Sequence, residues 1–128
     1  MRIHNFVRCS EVEGPGKRFV IWTQGCSIRC EGCFNEDAQS FEAGTEMRIP
    51  AILAEIKTAI DSENIIGVTI AGGEPFDQAS ELDTLICCIK LFFENINIMV
   101  YTGYELGQII TNDKRASLLE YIDILVYG

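Results

Sequence analysis

Residues 17–35 read Lys17-Arg18-Phe19-Val20-Ile21-Trp22-Thr23-Gln24-Gly25-Cys26-Ser27-Ile28-Arg29-Cys30-Glu31-Gly32-Cys33-Phe34-Asn35. An almost unbroken apolar run passes directly into three cysteines spaced C-x-x-x-C-x-x-C. Phe19 to Trp22 lacks the in-out alternation of a half-exposed strand. A run of this kind suits a strand covered on both faces, as in a parallel sheet. Gly25 and Gly32 mark the cysteine segment as a loop.

Working outward, the rest of the chain repeats the strand-then-helix pattern. Arg2 to Arg8 reads as a first strand, and Gly14-Pro15-Gly16 as a turn that reverses the chain before the second. Ile49, Ile52, Leu53, Ile56 and Ile60 fall at helical spacing, with Pro50 at a tolerated early position, so the pattern predicts a helix over about Pro50–Ser62. Ile65 to Ile70 is a short buried strand that ends at Ala71-Gly72-Gly73. Leu82, Leu85, Ile86, Ile89 and Phe92 or Phe93 define the next helix. Ile96 to Tyr101 is a strand ending at Thr102-Gly103. A helical stretch over about Glu105–Glu120, broken near Thr111-Asn112-Asp113, leads to a last strand at Ile122–Val126.

Alternation of this kind predicts an α/β fold with a parallel sheet and right-handed crossovers. A full eight-fold barrel takes about 250 residues, and this chain has 128. An open, partial TIM-like barrel or a small doubly wound sheet is therefore expected, as a single domain over residues 1–128. In either case the loops after the strands' C-terminal ends carry function. Those loops are the cysteine segment, Gly72 to Phe76, and Thr102 to Tyr104.

Lys and Arg number 10 against 19 Asp and Glu, a net charge of −9. With no basic cluster, this balance argues against a nucleic-acid partner, because phosphate contacts dominate that affinity. No apolar run approaches the roughly 20 residues of a membrane helix, and the N-terminus lacks a secretory core. A cytoplasmic protein is the expectation. The single histidine, His4, excludes any metal site that needs two from this chain.

Six cysteines in such a chain point to metal or catalysis more than to disulfides. Three are Cys26, Cys30 and Cys33; the others are Cys9, Cys87 and Cys88. Thiolates this close together can wrap one small inorganic centre. A 4Fe–4S cluster ordinarily takes four thiolates, so three local ligands leave one iron open for a substrate. The competing reading is a structural zinc site completed by a fourth ligand among Cys9, Cys87, Cys88 and His4. Adjacent Cys87 and Cys88 point about 100° apart on a helix and ill suit one ion. The spacing favours a cluster over zinc or buried thiols without excluding them.

The triplet followed by Phe34-Asn35 resembles that of the radical-SAM activating proteins, the group that includes the activators of anaerobic ribonucleotide reductase. Gly14-Pro15-Gly16, Gly72-Gly73-Glu74-Pro75, Tyr101-Thr102-Gly103-Tyr104 and Ile122-Asp123-Ile124-Leu125-Val126 follow the same pattern in the same order. The resemblance implies a radical-SAM core in which Cys26, Cys30 and Cys33 ligate a 4Fe–4S cluster, with no further catalytic side chain. It implies that S-adenosylmethionine (SAM) chelates the fourth iron and that backbone near Gly32, Cys33 and Phe34 meets its adenine. The Gly72-Gly73-Glu74 segment would receive the methionine amino group. Reduction by a flavodoxin-like or other electron donor would then release a 5′-deoxyadenosyl radical. In the activators that radical abstracts hydrogen from a glycine of a large glycyl radical enzyme, such as anaerobic ribonucleotide reductase.

Two other functions share parts of this pattern: a radical-SAM enzyme acting on a peptide or small molecule, and a non-catalytic zinc or iron–sulfur module. The activators continue past the last strand, whereas this chain stops at Tyr127-Gly128, so either a C-terminal segment is missing or the chain is a smaller relative with another substrate. Bland readings stand beside the motifs. Glu74 suits a helix start, and Thr102-Gly103-Tyr104 an ordinary turn. Cys9, Cys87 and Cys88 read as small core residues, and His4 as structural.

Overall fold

The computed structural model describes residues 1–128. Six strands and four α-helices follow one another in the order β1 (Arg2–Ser10), β2 (Arg18–Thr23), β3 (Thr45–Glu46), α1 (Ile49–Glu63), β4 (Gly67–Gly72), α2 (Ala79–Phe92), β5 (Asn97–Tyr101), α3 (Leu106–Ile110), α4 (Asp113–Leu118) and β6 (Ile124–Val126). They form one six-stranded sheet of order β3-β1-β2-β4-β5-β6. β2, β4, β5 and β6 are mutually parallel. The expected alternation is thus present from β2 onward.

The first strand departs from the expected parallel pattern. β1 pairs antiparallel with β2, and the two-residue β3 pairs antiparallel with β1. The short connection through Gly14-Pro15-Gly16 explains this, since a parallel return needs a long crossover and an antiparallel one only a turn. The sheet is mixed and open, with β3 and β6 at its two edges. The α/β class is as expected, while the open, partial TIM-like barrel is not established by this sheet.

Helix boundaries follow the sequence pattern closely. α1 begins with Pro50 in its first turn and ends at Asn64, which takes the left-handed conformation (φ 54°) that asparagine tolerates better than most residues. The long C-terminal helical stretch splits into α3 and α4 around Thr111 and Asn112. The Asn112 side chain accepts the Arg115 N–H and so starts a new helix.

All the helices' apolar stripes meet one face of the sheet. Phe19, Ile21, Val68, Ile70, Ile98 and Val100 alternate onto that face and bury against Ile52, Ile56, Leu82, Leu85, Ile86, Ile109 and Leu118 in a single core cluster of 21 residues. In β1 a register shift between Ile3 and Asn5 puts both Ile3 and Phe6 on the core side, as a β-bulge does. Phe6 then stacks on Phe19 with ring centroids 5.5 Å apart.

The opposite face carries Arg18, Val20, Trp22, Thr69, Ala71, Met99 and Tyr101. Segment 13–16 covers its lower half. Thr69 Oγ1 donates to the Glu13 carbonyl at 2.8 Å, and Arg18 Nη1 to the Pro15 carbonyl at 3.1 Å. Arg18 is completely buried. Its other donors reach Thr69 Oγ1 (2.7 Å), the Val68 and Asn97 carbonyls (3.3 and 3.2 Å) and Asn97 Oδ1 (2.7 Å). Lost hydration lowers its pKa, while the charges of Asp123 and Tyr101 oppose the shift. The upper half of this face, around Trp22 and Tyr101, borders the loops at the strands' C-terminal ends.

Candidate functional site

Three loops meet at the C-terminal end of the parallel strands: 24–44 after β2, 73–78 after β4 and 102–105 after β5. The first is held to the second by backbone. Gly73 N–H donates to the Thr23 carbonyl and Glu74 N–H to the Gly25 carbonyl, both at 2.8 Å. Two glycines make this approach possible. Gly72 has φ of 110°, and a Cβ there would strike the Thr23 backbone. A Cβ on Gly73 would strike the Gly25 carbonyl oxygen and stand 2.7 Å from that of Ala38. Only residues without Cβ permit so close a passage.

Glu74 is fully buried, and its carboxylate is directed into the protein. Oε1 accepts the Phe76 N–H at 3.0 Å and the Thr102 hydroxyl at 2.8 Å; Oε2 accepts the Gly103 N–H at 2.8 Å. Burial raises its pKa, and the three donors pull against that rise. The carboxylate does start the turn Pro75–Gln78, and it also ties the loop after β4 to the loop after β5. Thr102-Gly103 is accordingly more than a bland turn.

The cysteine loop has a fixed base. Gly25 N–H donates to the Ala38 carbonyl and Cys26 N–H to the Gln39 carbonyl. Buried Gln24 donates its amide to the Asp37 and Ser40 carbonyls at 2.9 and 2.7 Å. With its nitrogen so used, Gln24 Oε1 accepts from His4 Nδ1 at 2.9 Å. His4 therefore carries its neutral-state proton on Nδ1. This is a structural role, and the ring's Nε2 stays unused beside Asn5, Trp22, Phe34 and Asn35, which line one cleft with it.

The three cysteines differ in setting. Cys26 is buried at the base of the loop, Cys30 is exposed and Cys33 half-buried, and all are free thiols. The Cys33 N–H donates to the Cys30 carbonyl at 3.3 Å across a turn at Glu31-Gly32. No three His, Cys, Asp or Glu side chains stand together as a closed metal-holding group. The residues nevertheless fit a thiolate-held centre. The donor set is purely soft, as iron–sulfur clusters require. Asn35 N–H already donates to Cys33 Sγ at 3.4 Å, a contact of the type that tunes cluster thiolates. A Cβ on Gly32 would meet nothing within 4 Å, so the turn is open on that side, and the Phe34 ring is fully exposed. Cys9, Cys87 and Cys88 are half-buried, away from this loop, with Cys9 packed on the core's margin.

A further set of residues has no motif in the sequence. Asp77 Oδ2 accepts the Ser27 N–H at 2.7 Å. Its Oδ1 accepts the Tyr104 hydroxyl at 2.6 Å and the Ser27 hydroxyl at 3.1 Å. Arg115 lies 3.7 Å over the Tyr104 ring, within cation–π range. Burial, then the bond to Asp77, raises the Tyr104 pKa, which keeps the phenol protonated as a donor. Ser27, Asp77 and Tyr104 are 50 and 27 residues apart in sequence, so no local spacing announces them.

An α/β sheet thus places a three-cysteine loop against a Gly-Gly-Glu turn at its strand ends. The family model described as "4Fe-4S single cluster domain" matches residues 12–128. The anaerobic ribonucleoside-triphosphate reductase-activating protein of Enterobacteria phage T4 is 30% identical over 122 residues, covering 94% of this chain and 75% of the relative. That of Vibrio cholerae serotype O1 is 31% identical over 133 residues, covering 100% and 83%. The pyruvate formate-lyase 1-activating enzyme of Escherichia coli K12 is 40% identical over 80 residues, which are 61% of this chain and 32% of that enzyme. The chain belongs to the 4Fe–4S single cluster family and, within it, to the family of the anaerobic ribonucleoside-triphosphate reductase-activating proteins. It is an enzyme of the radical-SAM activating type. No helix is long and apolar enough to cross a membrane.

Proposed function

We propose that this protein cleaves SAM reductively and generates a glycyl radical on a large partner enzyme of the anaerobic ribonucleotide reductase kind. Cys26, Cys30 and Cys33 hold three irons of one 4Fe–4S cluster, and the amino and carboxylate groups of SAM take the fourth. Such a cluster supplies one electron to the SAM sulfonium, giving methionine and a 5′-deoxyadenosyl radical. The electron comes from a flavodoxin-like or other external donor. The whole of residues 1–128 acts as one unit, in a cytoplasm reducing enough to keep the thiols free.

The observation that carries this reading is the 2.8 Å bond from Glu74 N–H to the Gly25 carbonyl. It sets the Gly-Gly-Glu turn against the base of the cysteine loop, where one ligand can touch both. Because the Glu74 carboxylate is committed to Phe76, Thr102 and Gly103, Gly72, Gly73 and Glu74 serve the methionine ammonium through backbone carbonyls. Backbone at Gly32, Cys33 and Phe34 meets the adenine. The radical requires that water and stray hydrogen donors be excluded, and the partner's glycine-bearing loop closes the open side.

The test is anaerobic reconstitution with iron and sulfide, reduction, and measurement of 5′-deoxyadenosine. Product forms from SAM without a partner, and a glycyl radical signal appears only when a large enzyme of the anaerobic ribonucleotide reductase kind is added. A fully loaded cluster that yields no 5′-deoxyadenosine overturns the reading. SAM cleavage coupled instead to a peptide or small molecule, with no protein radical, overturns the partner assignment alone.

A further inference from the structure

We propose that Asp77 is a positioning residue for the cluster, fixing the Cys26 end of the loop and holding the cluster's reduction potential low. The inference rests on the reading above that Cys26, Cys30 and Cys33 ligate a 4Fe–4S cluster.

Ser27 immediately follows Cys26, and its amide nitrogen is bonded to the Cys26 carbonyl carbon. Asp77 Oδ2 lies 2.7 Å from that nitrogen, so the carboxylate abuts the backbone of the buried ligand. Its other oxygen takes the Ser27 hydroxyl and the Tyr104 hydroxyl. The Ser27 and Tyr104 oxygens are themselves 3.0 Å apart, which closes a three-membered ring of side chains. Each corner comes from a different loop: Ser27 after β2, Asp77 after β4, Tyr104 after β5. The ring is braced by Arg115 over the Tyr104 face. Asp77 makes none of the protein's ion pairs.

Two consequences follow for a cluster on Cys26. First, the amide and hydroxyl of Ser27, the residue that follows Cys26, are both spoken for by Asp77. They cannot turn to the Cys26 sulfur or to cluster sulfide, where N–H and O–H donors raise the potential. Second, an unpaired carboxylate adds negative charge beside the cluster, which makes acceptance of an electron harder and the reduced cluster a stronger donor. A sulfonium is a poor electron acceptor, so a strongly reducing cluster is what the chemistry needs.

Purely structural bracing and electrostatic tuning separate in two near-isosteric variants. Asp77→Asn removes the charge, and Tyr104→Phe removes one hydroxyl that partly neutralises it. Each is reconstituted anaerobically, assayed for iron and sulfide, and titrated electrochemically with the reduced cluster followed by electron paramagnetic resonance. Asp77→Asn is expected to shift the midpoint potential upward and slow SAM cleavage. Tyr104→Phe is expected to shift it downward. Opposite signs are not what a loosened scaffold gives. Asp77→Asn loading its cluster and titrating at the wild-type potential overturns the proposal, as does an upward or absent shift in Tyr104→Phe. If Asp77→Asn does not load, the sign in Tyr104→Phe decides. Wild-type protein that takes up no cluster overturns the ligand reading instead, and the proposal with it.

Discussion

Glu74 Oε2 accepts the Gly103 N–H at 2.8 Å, while its Oε1 accepts the Thr102 hydroxyl at the same distance. One buried carboxylate therefore fastens the loop after β5 to the loop after β4. The backbone of the same residue fastens the loop after β4 to the cysteine loop. Glu74→Ala leaves the Phe76 and Gly103 N–H groups and the Thr102 hydroxyl without their acceptor. Of these, the Phe76 N–H and the Thr102 hydroxyl are buried, and each orphaned buried donor costs about 1–3 kcal/mol. The metal-free variant is expected to lose at least about 2 kcal/mol in denaturant unfolding under anaerobic conditions.

Gly73→Ala tests the contact between the two loops. An added Cβ strikes the Gly25 carbonyl, which is rigid backbone, so the cysteine loop must move. Overpacking of this kind costs about 1–3 kcal/mol. Iron retention after reconstitution is expected to fall more steeply than thermal stability, because the displaced backbone leads directly into Cys26. Iron content per chain, compared with the melting temperature of the apoprotein, is the measurement.

Cys26 and Cys30 separate a thiol's packing role from its ligand role. Cys30 is exposed and Cys26 buried. Cys30→Ser is expected to leave apoprotein stability within about 0.5 kcal/mol of wild type, as surface changes do. Cys26→Ser places a hydroxyl in a buried position and is expected to cost about 1–2 kcal/mol. Both are expected to abolish formation of 5′-deoxyadenosine. Cys30→Ser retaining full activity would remove Cys30 from the ligand set.

Asp123 gives a pH signature. Burial pushes its carboxyl up, but the Lys90 ammonium at 2.6 Å, the Ile98 N–H at 2.7 Å and the charge of Arg18 outweigh that, leaving it below its ordinary 3.8. A depressed carboxyl stabilises the fold above its unfolded-state pKa, and that contribution is lost as pH falls through the folded-state value. The difference in melting temperature between wild type and Asp123→Asn is therefore expected to be constant from pH 7 to about 5. It then shrinks on acidification below about pH 4. A difference that widens there contradicts the assignment.

Much of the fold was legible because periodicity is local. The isoleucines of α1 and the apolar runs of β2, β4 and β5 each report their own burial within a few residues. β1 was legible as a strand, and its antiparallel pairing with β2 follows from the reversing turn at Gly14-Pro15-Gly16, although the helix–strand alternation of the rest pointed to an all-parallel sheet. β3 has two exposed residues and no pattern to read. The break between α3 and α4 was visible in Asn112, whose side chain caps the second helix.

The sequence alone determined the chemistry on offer: three thiols within eight residues, a glycine pair at a strand end, and the family to which both belong. Thiol spacing is set by covalent geometry, so a linear reading suffices for it. Only the tertiary structure decided that Glu74 faces inward as a clasp. The same holds for Arg18, which lies buried beneath segment 13–16, and for Asp77, which grips Ser27 together with Tyr104. Those roles depend on which loops the parallel sheet delivers to one end. That is fixed by the packing of α1 and α2 on the opposite face, and by no interval along the chain.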